Sequence, residues 1–399
     1  MDKKNYKMLF FLASLDAMMV AHQGKAATVN YFDYESASSM GEIQDMVLSS
    51  DNRMFALKTK NAEIDGSEYP VWVGNTDGLS AAFASPWMTN TVASCAFFKD
   101  KLYIAPKAQT NHLYRVDVGN NKIPHVKSAT ELKFDAQGAT TMHSPYLYAT
   151  TNNLYAIEDT ADGVQVYALG ENNEQSLSLK KTIPVNSSNG RTIQKSHIKD
   201  IVSKTINNQD CLYILTTNGH ETANLWLVKE NATAGECITP SEFSEYSTAW
   251  FFTPMFDYTT TMAVHRDKLL VANANHHFKN EKLEQLGWMF PIENDGKLGE
   301  AQAYIQSDTY RVSAIGSDQQ TYYAEAINDD RSPMDVTFDK YFMKGTPKDA
   351  DDAEWNYNDY PDRSSQHKGE AVHKFTTQKK GEIFAISKNR IYRIRNNTR

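Results

Sequence analysis

The hydrophobic pattern of this chain consists of strand-length apolar runs separated by tight polar turns, which argues for β structure and against a helical protein. One unit recurs: an apolar run, a short polar turn, then a run with an aromatic or aliphatic pair followed by Ala, Ile or Val. The second runs are RMFALK at Phe55, KLYIAP at Tyr103, YLYATT at Tyr148, CLYILT at Tyr213, KLLVAN at Leu270, TYYAEA at Tyr323 and EIFAIS at Phe384. The turns ahead of them are SSDN, FKDK, HSP, NNQD, HRDK, GSDQQ and TQKKG, rich in residues that turn easily. Third runs of similar character follow: HLYRVDV, NLYAIED, NLWLVKE and RIYRIRN, with PVWVGN and GWMFPIE as looser versions.

Strands repeating at a spacing of about 55 residues predict an all-β, seven-bladed β-propeller of four-stranded antiparallel blades. A blade alone cannot bury both faces, so stacking around an axis supplies one continuous core. The last copy ends near Arg395 after three strands, and the alternating segment TVNYFDY (28–34) is expected to add the missing outer strand and close the ring. Two successive β-sandwiches are the rival architecture. As a repeat, the chain resembles the broad β-propeller superfamily of NHL and lactonase-like type, and KKGEIFAISKNRIYRI (379–394) is its best copy. The Trp-Asp dipeptide of WD40 repeats, the paired glycines of kelch repeats and the recurrent Trp motif of quinoproteins are missing. The resemblance therefore implies a fold and carries over no site residues.

The first 26 residues depart from this pattern. Lys3, Lys4 and Lys7 precede a mostly apolar stretch from Met8 to Ala21, with Gly24 and Ala26 at −3 and −1 of a cut before Ala27. Residues 1–26 are thus read as a secretory signal and 27–399 as a single propeller domain with an acidic insertion at 345–368. The expected location is exported: periplasmic, secreted or cell surface. No internal apolar run approaches a membrane span. The 41 Lys+Arg against 49 Asp+Glu, net −8, argue against a nucleic-acid partner. Cys95 and Cys211 lie within apolar runs, and the three cysteines lack CxxC spacing. They read as free packed thiols, with a Cys211–Cys237 bridge as the alternative.

Propeller ligands generally sit at the axis, beside the loops joining second to third strands. Each of the seven expected connections contains an Asn: Asn61, Asn111, Asn152, Asn218, Asn275, Asn328 and Asn389. A ring of amide oxygens would suit calcium, but turn formation explains Asn equally, so no cofactor or resident metal is expected. The long connections carry His220, Glu221, His276, His277, Asp329, Asp330 and Arg331, the candidate ligand or partner contacts. STAWFFTPMFDYTTT (247–261) adds Trp250 and Phe252 as an aromatic surface or as core. No HExxH or GxSxG motif is present. The expected function is a monomeric binding module for a protein or glycan partner. A metal-dependent lactonase or esterase-type hydrolase and a structural envelope component are the alternatives.

Overall fold

The computed structural model describes residues 28–33, 41–60, 63–64, 67–68, 70–76, 78–81, 92–107, 109–119, 122–134, 141–160, 163–173, 176–185, 197–217, 223–240, 261–272, 285–306, 310–319, 322–328, 340–345, 356–358, 372–387 and 390–395. Every regular element among them is a strand, and none of the described residues forms a helix long and apolar enough to cross a membrane.

Four-stranded antiparallel meanders follow one another along the chain. The first joins Glu42–Leu48, Phe55–Lys60, Val71–Asn75 and Gly78–Ala81. The second (92–134) and third (146–185) merge into one eight-stranded sheet through a short parallel contact of Lys133 and Phe134 with Ser176 and Leu177. The fourth (197–237), fifth (261–306) and sixth (310–358) stand alone. The last contains Lys374–Thr376, Glu382–Ile386 and Arg390–Arg395, and its fourth strand is Thr28–Asp33, antiparallel to Arg390–Arg395 with Thr28 opposite Arg395.

The apolar runs predicted as second strands are second strands at Phe55, Tyr103, Tyr213, Leu270, Tyr323 and Phe384. The third copy departs. Tyr146–Ala149 is a first strand, and NLYAIED (Leu154–Thr160) is the second rather than the third. Asn152 therefore lies in a first-to-second turn, not in the second-to-third connection assigned to it. A four-residue inner strand, YLYA, has the same apolar signature in sequence as its neighbour, and periodicity alone cannot rank the two.

The turns form as their residues dictate. Lys99 and Asp100 (φ 48° and 59°) and Asn207 and Asn208 (φ 51° and 63°) adopt left-handed backbone in two-residue hairpins, whose twist matches that of the strands. Apolar clusters lie between successive sheets. Tyr213, Leu215 and Leu227 of the fourth pack on Met262, Leu269 and Phe290 of the fifth. Phe384, Ile386 and Ile391 of the last sheet pack directly against Ile43, Met46 and Phe55 of the first, with the Phe55 and Phe384 rings 6.3 Å apart.

All three cysteines are free thiols. Cys211 is on the second strand of the fourth sheet and Cys237 on the fourth, with Ala223–Lys229 between them. Two strand spacings of ~4.8 Å put their backbones beyond the ~7 Å a disulfide can span, so the alternative bridge is ruled out. Burial pushes the Cys95 thiol up to about 12, with Asp45 adding to the effect, which keeps it an inert packing group.

Candidate functional site

The first strands of all the sheets face a common cavity of about 660 Å³. Its wall includes Asp45 and Met46 from the first sheet, Tyr146 and Tyr148 from the third, Asp200 from the fourth and Lys374 from the last. Four of these strands carry a β-bulge near their N-terminal end, before Asp45, Ser94, Asp200 and Ala314. A bulge inserts one unpaired residue and re-aims the side chain that follows.

At two of these positions the re-aimed side chain ties a sheet to the next. Ser94 Oγ accepts from Leu147 N (2.7 Å) and donates to Pro145 O (2.8 Å). Asp200 Oδ2 accepts from Met262 N (2.8 Å), while its Oδ1 accepts from Ile201 N (2.8 Å). Asp45 behaves differently. Its Oδ1 accepts from Met46 N (2.7 Å) and pairs with Lys374 Nζ of the last sheet. The Lys374 side chain is partly exposed, and it belongs to the wall of the cavity.

Asp45, Tyr146, Asp200 and Lys374 form one electrostatic unit. Burial opposes the Lys374 charge, yet Asp45, then Tyr146 and Asp200, outweigh it and hold the lysine above its ordinary pKa. Lys374 favours ionisation of Tyr146, but burial together with Asp45 and Asp200 prevails and raises that hydroxyl. Burial likewise raises Asp200, partly offset by the Met262 N–H. Tyr148 is pushed up to about 12 by burial and donates to Ser203 Oγ at 3.1 Å. At neutral pH the unit thus offers a charged ammonium and the neutral Tyr146 hydroxyl.

Its position follows from the chain direction. All four residues lie in the N-terminal part of their strands, away from the first-to-second turns and at the end where the second-to-third connections leave the sheets. The sequence-selected residues His220, Glu221, Trp250, Phe252, His276, His277, Asp329, Asp330 and Arg331 belong to connections outside the described residues. Among the described residues no group of three or more His, Cys, Asp or Glu side chains could hold a metal ion. The acidic unit was missed although the sequence carries a signal for it. IQDMV (43–47) and IKDIV (198–202) repeat one pattern, with an Asp inside an otherwise apolar inner strand.

Further along the wall, His265 Nδ1 meets Ser317 Oγ at 2.8 Å, linking the fifth and sixth sheets. Burial, helped by Arg266 and Lys268, lowers the His265 pKa to about 4. An unfolded His titrates near ~6.5, so between those values the unfolded chain binds the extra proton. The contribution of neutral His265 is therefore complete above pH ~6.5 and is lost as pH falls toward 4, about 3 kcal/mol in all. Urea unfolding at pH 7 and pH 4.5 should show this loss in the natural chain, and His265→Gln should flatten it. Equal pH slopes for the two proteins would contradict the assignment.

No protein-family model and no curated protein sequence matches the chain. Solved structures do match its fold. The Dos1 propeller aligns with TM-score 0.53 and 9% identity over 92% of this chain and 95% of that one. YCF48 bound to a D1 peptide aligns with TM-score 0.55 and 10% identity over 94% and 97%. YCF48 from Cyanidioschyzon merolae aligns with TM-score 0.51 and 10% identity over 94% and 100%. The fold is that of a β-propeller.

Proposed function

We propose that the chain is an exported, seven-bladed β-propeller whose ring is completed by Thr28–Asp33, and that it acts as a protein-interaction module. The ladder between that strand and Arg390–Arg395 supports the closure, as does the packing of the last sheet on the first. The basic and apolar N-terminal stretch supports export. The observation that carries the functional reading is the Asp45–Lys374–Tyr146–Asp200 unit in an open axial cavity. Its ammonium and the Tyr146 hydroxyl are hydrogen-bond donors held by strands, which suits capture of an acceptor-rich peptide segment. A peptide-bound propeller among the structural neighbours favours peptide over glycan. His220, Glu221, His276, His277, Asp329, Asp330, Arg331, Trp250 and Phe252, which lie outside the described residues, are part of this proposal as partner contacts on the strength of the sequence alone.

A peptide library and an oligosaccharide array presented to the folded protein test this reading. Selected peptides should bind the natural chain and lose about ten-fold or more in affinity with Lys374→Met, whose melt verifies that it folds. Binding of glycans alone, or peptide binding indifferent to Lys374, would defeat it. Expression with the natural leader should yield a mature N-terminus at Ala27; a retained Met1 in an export-competent host refutes the address.

A further inference from the structure

The turns between first and second strands leave the sheets at the end opposite that mouth, because each sheet is an antiparallel meander. Hydrogen bonds lock neighbouring turns together. Ser50 Oγ donates to Asp100 Oδ1 (2.9 Å), Arg266 N to Gln319 Oε1 (2.7 Å) and Gln378 N to Asn52 Oδ1 (2.8 Å). They form one continuous surface around the far end of the cavity, where Gln319, Lys379 and Lys380 are part of the wall.

The charge of this surface runs against that of the chain. Asp51 is engaged by Arg53 (3.2 Å) and Asp267 by Lys204 (2.5 Å). The turns further carry Lys99, Arg266, Lys268, Lys379 and Lys380 against the solvent-facing Asp100, while Asp210 and Asp318 are buried. The whole sequence, by contrast, has 41 basic and 49 acidic residues. Glu293, Asp295 and Glu300 sit on the outer turn of the fifth sheet together with Lys297, which pairs with Glu236 on the outer strand of the fourth (2.7 Å), so the surplus of positive charge lies on the inner turns. Ile123 belongs to the same end, on a third-to-fourth turn of the second sheet. It is the one large hydrophobic exposed among the described residues, at 39%. Its loop is held by Asn75 Nδ2, which donates to Lys122 O at 2.8 Å.

We propose that this turn face docks an acidic segment of a partner protein, with the cations of the inner turns pairing its carboxylates and Ile123 receiving an apolar side chain at the rim. Clustered cations of this kind steer an acidic chain and fix its register. A single half-exposed isoleucine provides too little apolar area to seat the face in a lipid surface. A long polyanion would meet the acidic outer turns as well as the inner cations. A short acidic segment reaches the inner turns alone.

The probe is a labelled twelve-residue peptide of Asp, Glu and Leu, titrated against the full chain by fluorescence anisotropy. The natural chain should bind it, with affinity falling about ten-fold between 50 and 300 mM salt. Lys379→Glu with Lys380→Glu, and separately Lys99→Glu with Lys268→Glu, should each weaken binding about ten-fold or more while melting like the natural chain. Reversal of Lys127 and Lys180, exposed on outer strands, should leave it unchanged. No binding by the natural chain, equal loss in the Lys127/Lys180 control, or binding to phosphatidylserine vesicles in preference to the peptide would each overturn the proposal.

Discussion

A chain beginning at residue 35 is expected to lose its cooperative thermal transition, or to melt far below the mature chain. Thr28–Asp33 pairs along its whole length with Arg390–Arg395, in six consecutive register positions. At about 1 kcal/mol net for each ladder hydrogen bond, removing the strand costs about 5 kcal/mol. That is comparable with the entire stability of many domains. The loss also uncovers a central strand whose Ile391 and Tyr392 are buried at 0% and 5% exposure. Such an edge is a template for pairing with another chain, so the truncated protein should also associate at concentrations where the mature chain does not. The measurement is a thermal or urea melt of chains starting at Ala27 and at residue 35, together with light scattering. A truncated chain that melts within a few degrees of the mature one would refute closure by this strand.

Both halves of the proposed closure have a local signature, an unmatched three-strand copy at one end and an alternating segment at the other. The rest of the fold was legible for the same reason: each second strand is apolar and is preceded by a turn of the right chemistry. What misled was the stretch YLYATTNNLYAIED, in which two buried strands flank one turn and neither announces its rank. The candidate site was much less legible. Lys374 and Asp45 are 329 positions apart, and no local pattern joins them. The recurring Asp in IQDMV and IKDIV is a sequence signal whose meaning depends on the bulge that precedes it. Once folded, the same motif serves two ends, tying sheets together at Asp200 and holding a lysine at Asp45. The basic inner turns were read one by one as turn formers. A net charge of −8 concealed that FKDK, HRDK and TQKKG converge on one face.

Asp210→Ala is expected to cost about 3–5 kcal/mol, far more than an average substitution in a protein of this size. Asp210 is 1% exposed and stands at the start of the second strand of the fourth sheet. Its carboxylate gathers the first-to-second turn of the third sheet. Oδ2 accepts from Thr150 Oγ1 (2.6 Å), Asn153 Nδ2 (2.9 Å) and Tyr155 OH (3.0 Å), and Oδ1 from Asn152 Nδ2 (3.3 Å). The Asp210 backbone donates to Glu230 Oε2 (3.2 Å) and accepts from Glu230 N (2.9 Å), which closes the network on its own sheet. Hydrogen bonds to a charged acceptor contribute more than neutral ones, and alanine removes four of them at once, leaving Thr150 and Asn153 their bonds to Asn153 O and Glu230 Oε1 but the buried Tyr155 hydroxyl without its acceptor. Burial, followed by the Asp210 charge, raises the Tyr155 hydroxyl, so that tyrosine remains a donor at any ordinary pH. Tyr155→Phe removes one of these bonds without stranding the carboxylate and should cost only about 1 kcal/mol. If the network acts as a unit, the double variant is less destabilised than the sum of the two single ones, because the bond between them is counted once. Urea melts of the natural chain, both single variants and the double variant measure this coupling. Strict additivity, or a loss below about 1 kcal/mol for Asp210→Ala, would show that the joint between the third and fourth sheets rests on apolar packing alone.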